Sequence, residues 1–186
     1  MHSIPTLLVT GADRAAKLAF LQKLLAIRSP RERWALLDND GNPVADGDVA
    51  QDLAIASVLG CACCTGQVSL QTGIVRLLRE SRPQRLVIVA AAAAEPAALG
   101  QTLRQEQLAP VLRVVRNQCV TSSALQEAGK QARTLWLQQL HAADDVVAVD
   151  DGAAAALDGK HLHVIGTAEA VALALAAMAK TIRTSE

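Results

Sequence analysis

Short apolar runs alternate with longer stretches of helical periodicity along this chain of 186 residues. Residues 5–9, "PTLLV", form an apolar run that stops just before Gly11. The following "AAKLAFLQKLLAI" places Leu18, Leu21, Leu24 and Leu25 at helical spacing. "WALLD" (34–38) reads as a strand that ends in the turn-rich "DNDGNP". "LAIASVL" (53–59) is strand-like, and a helix after it carries Leu70, Ile74, Leu77 and Leu78 on one face. "RLVIVA" (85–90) has the unbroken apolar character of a buried strand, and "PAALGQTLRQEQLA" is helical with Pro96 in its first turn. Further strands are predicted at 110–115, 145–149 and 161–166, with helices over about 122–142 and 168–182. The alternation predicts an α/β fold, a mainly parallel sheet of about six or seven strands with helices on both faces. Such sheets bind ligands beyond the carboxyl ends of their strands. Gly11, the 38–43 turn, residues 60–66 and residues 90–96 all fall at that edge.

Composition narrows the class. Half of the residues are apolar (51%), yet Phe20, Trp34 and Trp136 are the only aromatics, so leucine, valine, isoleucine and alanine must build the core. Lys+Arg and Asp+Glu balance at 18 each, which leaves no long-range field for nucleic acid or an anionic membrane. Scarce aromatics also leave base stacking poorly supplied. No run approaches the ~20 apolar residues that span a bilayer, and the amino terminus lacks a basic leader. The expectation is one soluble, cytoplasmic domain over residues 1–186, with neither nucleic acid nor membrane as partner.

Against that background the cysteines stand out. Three of the four, Cys61, Cys63 and Cys64, lie within "GCACCTG" (60–66). In a reducing compartment, clustered thiols point to metal or redox chemistry more than to disulfides. Three thiolates suit zinc or a similar soft or borderline cation such as cobalt, with a fourth ligand completing a tetrahedron. The competing readings are a redox switch and a buried apolar cluster. Cys119, Asp38, Asp40, Glu95, water or a partner's side chain are the candidates for the fourth position, and Cys119 by itself reads as a core residue. Gly11 with Lys17 forms a weak phosphate-loop signal whose alternative is an exposed lysine at a helix start. His161 and His163 alternate on a strand and read as a polar strand face.

Gly60-Cys61-Ala62-Cys63-Cys64-Thr65, between a strand and a helix, resembles the G-C-x-C-C motif of the CobW/HypB/UreG family of P-loop GTPases, in its CobW-like metallochaperone branch. The likeness runs through roughly residues 5 to 170. It implies a P-loop NTPase-like three-layer α/β/α fold with bound GTP and a carried metal. It also implies a metal-receiving protein or intact family member as partner, and a homodimer as a common assembly. The expectation is a GTPase-domain-only member, without the CobW-type carboxyl-terminal domain.

The nucleotide motifs depart from the family pattern. In "GADRAAKL" Gly11 and Lys17 keep their spacing, but Ala16 replaces the glycine before the lysine. Leu18 replaces the hydroxyl residue that ligates Mg²⁺, and Arg14 and Asp13 intrude on the loop. Val89 and Ala92 replace the acidic residue and glycine of E-T-T-G, with Glu95-Pro96 following. Asn39 takes the glutamate position of N-E-F-G, and Val149, Asp150 and Gly152 take those of N-K-x-D. Phosphoryl transfer rests on positioning and electrostatics, so the joint loss predicts a metal-binding pseudo-GTPase with no catalytic residues. An atypical GTP-binding metallochaperone and a scaffold for an intact relative are the alternatives.

Overall fold

A computed structural model describes residues 3–41, 52–58, 66–124, 130–157 and 162–179. In chain order these form β1 (Ile4–Thr10), α1 (Arg14–Ala26), β2 (Trp34–Asp38), β3 (Leu53–Ser57), α2 (Gly66–Ser81), β4 (Arg85–Val89) and α3 (Pro96–Leu103). They continue with β5 (Leu112–Thr121), α4 (Lys130–His141), β6 (Asp145–Ala148), α5 (Asp151–Leu157), β7 (Val164–Gly166) and α6 (Thr167–Ala179). The strands make one 7-stranded sheet in the order β3-β2-β4-β1-β5-β6-β7, and every pairing is parallel. This is the parallel-sheet α/β architecture expected from the alternating pattern, in the P-loop NTPase-like form that the family resemblance implies.

Side chains of successive strand residues leave the sheet on opposite faces. Leu7, Val9, Val87 and Val147 face α1 and α6, packing with Phe20, Leu24, Ala170 and Met178. Leu8, Leu37, Leu86 and Ile88 face the other way, onto Leu70, Ile74, Leu99 and Leu103 of α2 and α3. Trp136 and Leu140 of α4 and Leu157 of α5 bury Cys119 and Val146. Each fully buried leucine contributes about 1.5–3 kcal/mol, so aliphatic side chains supply most of the core, with Phe20, Trp34 and Trp136 as its aromatic members.

The strand from 110 to 115 is longer and later than the apolar run suggested. β5 follows β1 from Ile4↔Leu112 to Thr10↔Cys119, with a register shift between Thr6 and Leu7. Backbone pairing carries it through the polar Asn117 and Gln118, which find partners of their own. The helix after Pro96 stops at Leu103 rather than running on, because residues 104–111 close into turns such as Leu108 N–H to Gln105 O at 2.9 Å. α5 was not anticipated. Its alanines carry no amphipathic stripe, and it starts where Asp150 Oδ1 accepts the Ala153 N–H at 2.7 Å. The described part of the long helix expected over 122–142 is Lys130–His141, and β7 covers only the last half of 161–166.

Strands β2, β3 and β4 lie to one side of β1, and β5, β6 and β7 to the other. Gly11, the 38–41 turn, residues 90–94 and residues 121–123 therefore meet at one carboxyl edge, beside the central strand.

Candidate functional site

The loop leaving β1 is built around Gly11. Its φ is +128°, and a Cβ there would stand 2.1 Å from the Val120 carbonyl oxygen of β5. Only glycine accepts both the backbone conformation and that approach. Asp13 caps α1, with Oδ1 accepting the Ala16 N–H at 3.0 Å. Ser122 Oγ donates to the other Asp13 oxygen. A helix start of this kind holds an anion on its N–H groups and positive dipole end. Here a carboxylate from the chain itself occupies that position.

Lys17 is fully buried, contrary to the exposed-lysine reading. Its ammonium donates to the Ala90 carbonyl at 2.7 Å and lies 2.9 Å from Asp40 Oδ2. Asp40 is buried too, and its Oδ1 accepts the Ala92 N–H at 2.7 Å, while Arg14 Nε stands 3.7 Å from Oδ2. Burial pushes the Lys17 pKa below its ordinary value, and the bond and charge of Asp40 oppose that shift. The lysine that would reach a phosphate, and the backbone N–H of residue 92, both hold the carboxylate of Asp40. Asp40, which the sequence offers only as one candidate for a fourth metal ligand, lies two residues beyond β2, and the pairing of β2 with β4 carries it to Lys17.

The adjoining residues of the turn have separate tasks. Asp38 Oδ1 accepts the Asp40 N–H at 2.9 Å, whereas Asp38 Oδ2 is buried with no hydrogen-bond partner among the described residues. The Asn39 amide donates to the Val58 carbonyl, where the chain leaves β3, and its oxygen accepts the Ala91 N–H at 3.4 Å. Asn39 thus pins backbone to backbone. Gln139 of α4 donates to the carbonyls of Ala92 and Ala94 at 3.1 and 2.9 Å, which fixes the alanine run as a tight strand end.

Cys61, Cys63 and Cys64 lie outside the described residues. β3 and α2 flank them: Ser57, the last residue of β3, pairs with Asp38, and α2 begins at Gly66. Cys119 sits within β5 and is fully buried, with its thiol pushed up to about 12 by desolvation, against a hydrogen bond with Thr10 and the charge of Lys17. It packs against Trp136, Leu140, Val146 and Leu157, as a core residue does. Glu95 holds the N-cap position of α3 without a side-chain cap bond.

Asp150, at the position of the base-reading lysine, is engaged by the Ser123 and Ala153 N–H groups, which hold its pKa below the ordinary carboxylate range. His163 lies at the other end of the sheet, with Nδ1 2.8 Å from Asp145 Oδ1; His161 is outside the described residues. Asp145, buried at the start of β6, also accepts from Arg116 and from Gln118. Among the described residues no three His, Cys, Asp or Glu side chains gather as a metal site, and no helix is long and apolar enough to cross a membrane.

The family model described as "CobW/HypB/UreG, nucleotide-binding domain" matches residues 5–158. Among curated proteins, the zinc chaperone YeiR of Escherichia coli (strain K12) is 31% identical over 148 residues, covering 77% of this chain and 45% of that protein. The Zn(II)-bound YjiA GTPase from E. coli superposes with a TM-score of 0.62 at 18% identity, over 92% of this chain and 55% of that one. The hydrogenase maturation factor HypB from Archaeoglobus fulgidus superposes with a TM-score of 0.59 at 11% identity, over 94% and 90% of the two chains. The chain spans about half the length of YeiR and YjiA.

Proposed function

The chain belongs to the CobW/HypB/UreG nucleotide-binding-domain family, and from that premise we propose that it carries zinc on Cys61, Cys63 and Cys64 without hydrolysing GTP. The observation that carries the second half is the commitment of Lys17. With its ammonium 2.9 Å from Asp40 and 2.7 Å from the Ala90 carbonyl, it makes the contacts a nucleotide phosphate would need. Leu18 offers no oxygen to Mg²⁺, Asp13 takes an N–H at the start of α1, and Asp40 takes the Lys17 ammonium and the Ala92 N–H. These contacts support the reading of a loop that takes no nucleotide.

The zinc half is supported by donor chemistry and by kinship. Three thiols on one loop match a borderline-soft cation. The relatives named as a zinc chaperone and as a Zn(II)-bound GTPase make zinc the cargo to test first. Asp38, with one buried oxygen lacking a partner among the described residues, is the carboxylate best suited to the fourth position. Cys119 drops out of that choice. Release then depends on ligand exchange with a receiving protein, because no nucleotide cycle drives it.

Native mass spectrometry of protein purified without tags or added metal tests both halves. The expected result is one zinc per chain, lost in the triple Cys→Ser variant, and no copurifying nucleotide. Mg²⁺-dependent GTP turnover abolished by Lys17→Ala would establish the atypical-GTPase reading instead. Absence of zinc under reducing conditions would leave the scaffold reading.

A further inference from the structure

Charge balances over the whole chain but not along the sheet. All strands run the same way, and the edge where β2 and β4 begin, opposite the phosphate loop, gathers arginines. Arg31 and Arg33 lie on the connection from α1 to β2, Arg79 in the last turn of α2, and Arg82 just beyond that helix. Strand pairing brings the two segments together. Trp34 pairs with Arg85, the Gln84 N–H donates to the Arg33 carbonyl at 2.7 Å, and Arg33 Nε donates to the Arg82 carbonyl at 3.0 Å. All four arginines are exposed, and none has a carboxylate within ion-pair distance among the described residues. The acids beside them are already taken. Glu32 holds Arg85 at 2.9 Å and accepts from the Trp34 indole, and Glu80 holds Arg76 at 2.8 Å. Arg82 also keeps a left-handed backbone, φ +44°, a conformation that favours glycine.

We infer that this arginine cluster docks an acidic segment of another protein. Like charges gathered on one edge repel each other. The negative ends of α1 and α2 point at that edge and offset part of the repulsion, and a run of carboxylates offsets the rest. Each guanidinium presents a planar fork that takes a carboxylate through two parallel hydrogen bonds. Phosphate fits the same fork, but the surroundings select protein over nucleic acid and membrane. Phe20, Trp34 and Trp136, the aromatic residues of the chain, are all buried, so bases find no ring to stack on. Ile27, on the same connection after α1, is 58% exposed. A lone isoleucine does not hold a protein in a bilayer, whereas it does suit an apolar residue within an acidic segment.

The test is selection of a phage-displayed peptide library on the full chain, followed by binding measurements with labelled winners. Enriched peptides should carry several Asp or Glu residues and bind more weakly as salt rises. An Arg31→Glu, Arg79→Glu double variant should weaken them about tenfold or more and select basic peptides instead. Arg82→Gly should also weaken them, yet melt no lower than wild type, because glycine accepts the left-handed backbone that the arginine holds at a cost. That variant keeps the test decisive should the double variant fail to fold. The inference is overturned if no acidic peptide is enriched, or if the winners bind these variants undiminished. It is also overturned if a short DNA duplex or phosphatidylserine vesicles bind wild type more tightly than the winners and lose affinity for the same variants, since phosphate is then the target. Sedimentation of the wild type as an oligomer that the double variant disperses overturns it too, since the occupant is then a second copy.

Discussion

Replacing Asp40 by alanine strands the Lys17 ammonium inside the protein. Both side chains are within 1% of complete burial, and their 2.9 Å contact is supplemented by the Ala90 carbonyl and the Ala92 N–H. Removing one partner of such a pair typically costs 3–5 kcal/mol, most of it from leaving an unpaired charge in a medium that solvates it poorly. A domain of this size loses about 2–4 °C of melting temperature per kcal/mol, so Asp40→Ala should melt about 6–20 °C below wild type. Lys17→Met should cost less than this, because Asp40 keeps the Ala92 N–H and has Arg14 at 3.7 Å. The double variant Lys17→Met, Asp40→Ala should recover much of the loss, giving a coupling energy of about 2 kcal/mol or more in urea titrations.

Two further readouts separate this account from simple loss of packing. Lys17 already titrates below its ordinary 10.5 because of burial, and without Asp40 its folded-state pKa falls further. Between that value and 10.5 the unfolded chain binds more protons than the folded one, so stability rises with pH. The deficit of Asp40→Ala should therefore shrink as pH rises toward 10, while that of Lys17→Met should not. Phosphate or sulfate should stabilise Asp40→Ala more than wild type, because the vacated anion position keeps its lysine and its N–H. If the single variants add without coupling, and anions stabilise both proteins equally, the reading of Asp40 as resident anion is wrong.

Leu18→Thr should yield no measurable GTP turnover, because restoring one hydroxyl leaves Asp40 on Lys17 and Val89 and Ala92 in place; turnover in a phosphate-release assay would contradict this. Gly11→Ala should destabilise by more than about 3 kcal/mol in denaturant titration, since a Cβ would meet the Val120 oxygen at 2.1 Å and the φ is +128°. In the triple Cys→Ser protein, Cys119 should react with maleimide at pH 8 only as the fold opens, and at the free-thiol rate in denaturant, because it is fully buried and desolvation pushes its thiol up. Asp145 is pushed up by burial, but the hydrogen bonds of Arg116, His163 and Gln118 outweigh that and leave its pKa below 3.8. Its contribution is complete above that unfolded value and is lost as pH falls through the lower folded one. Asp145→Asn should therefore be less stable near neutrality by about 1–3 kcal/mol and approach wild type in acid melts.

Periodicity by itself settled the strand–helix alternation, because burial on both faces of a parallel sheet demands unbroken apolar runs between amphipathic helices. It also settled the departures from the nucleotide motifs, since a leucine at position 18 lacks a hydroxyl in any fold. The three clustered thiols were legible for the same reason: donor type belongs to the residue. Pairings between distant residues were not legible. The "DNDG" run could have faced solvent; only the β2–β4 neighbourhood brings Asp40, 23 positions along the chain from Lys17, onto its ammonium. The length of β5 depended on β1 as a partner, because ladder hydrogen bonds carry polar residues such as Asn117 and Gln118 that no hydropathy pattern assigns to a strand. The pairing of β6 with β5 begins only at Gln118, and Val114, ahead of it on β5, is exposed. Local sequence fixes what each side chain can do; which charge it meets depends on strand order and register, and those are decided by contacts made across the whole sheet.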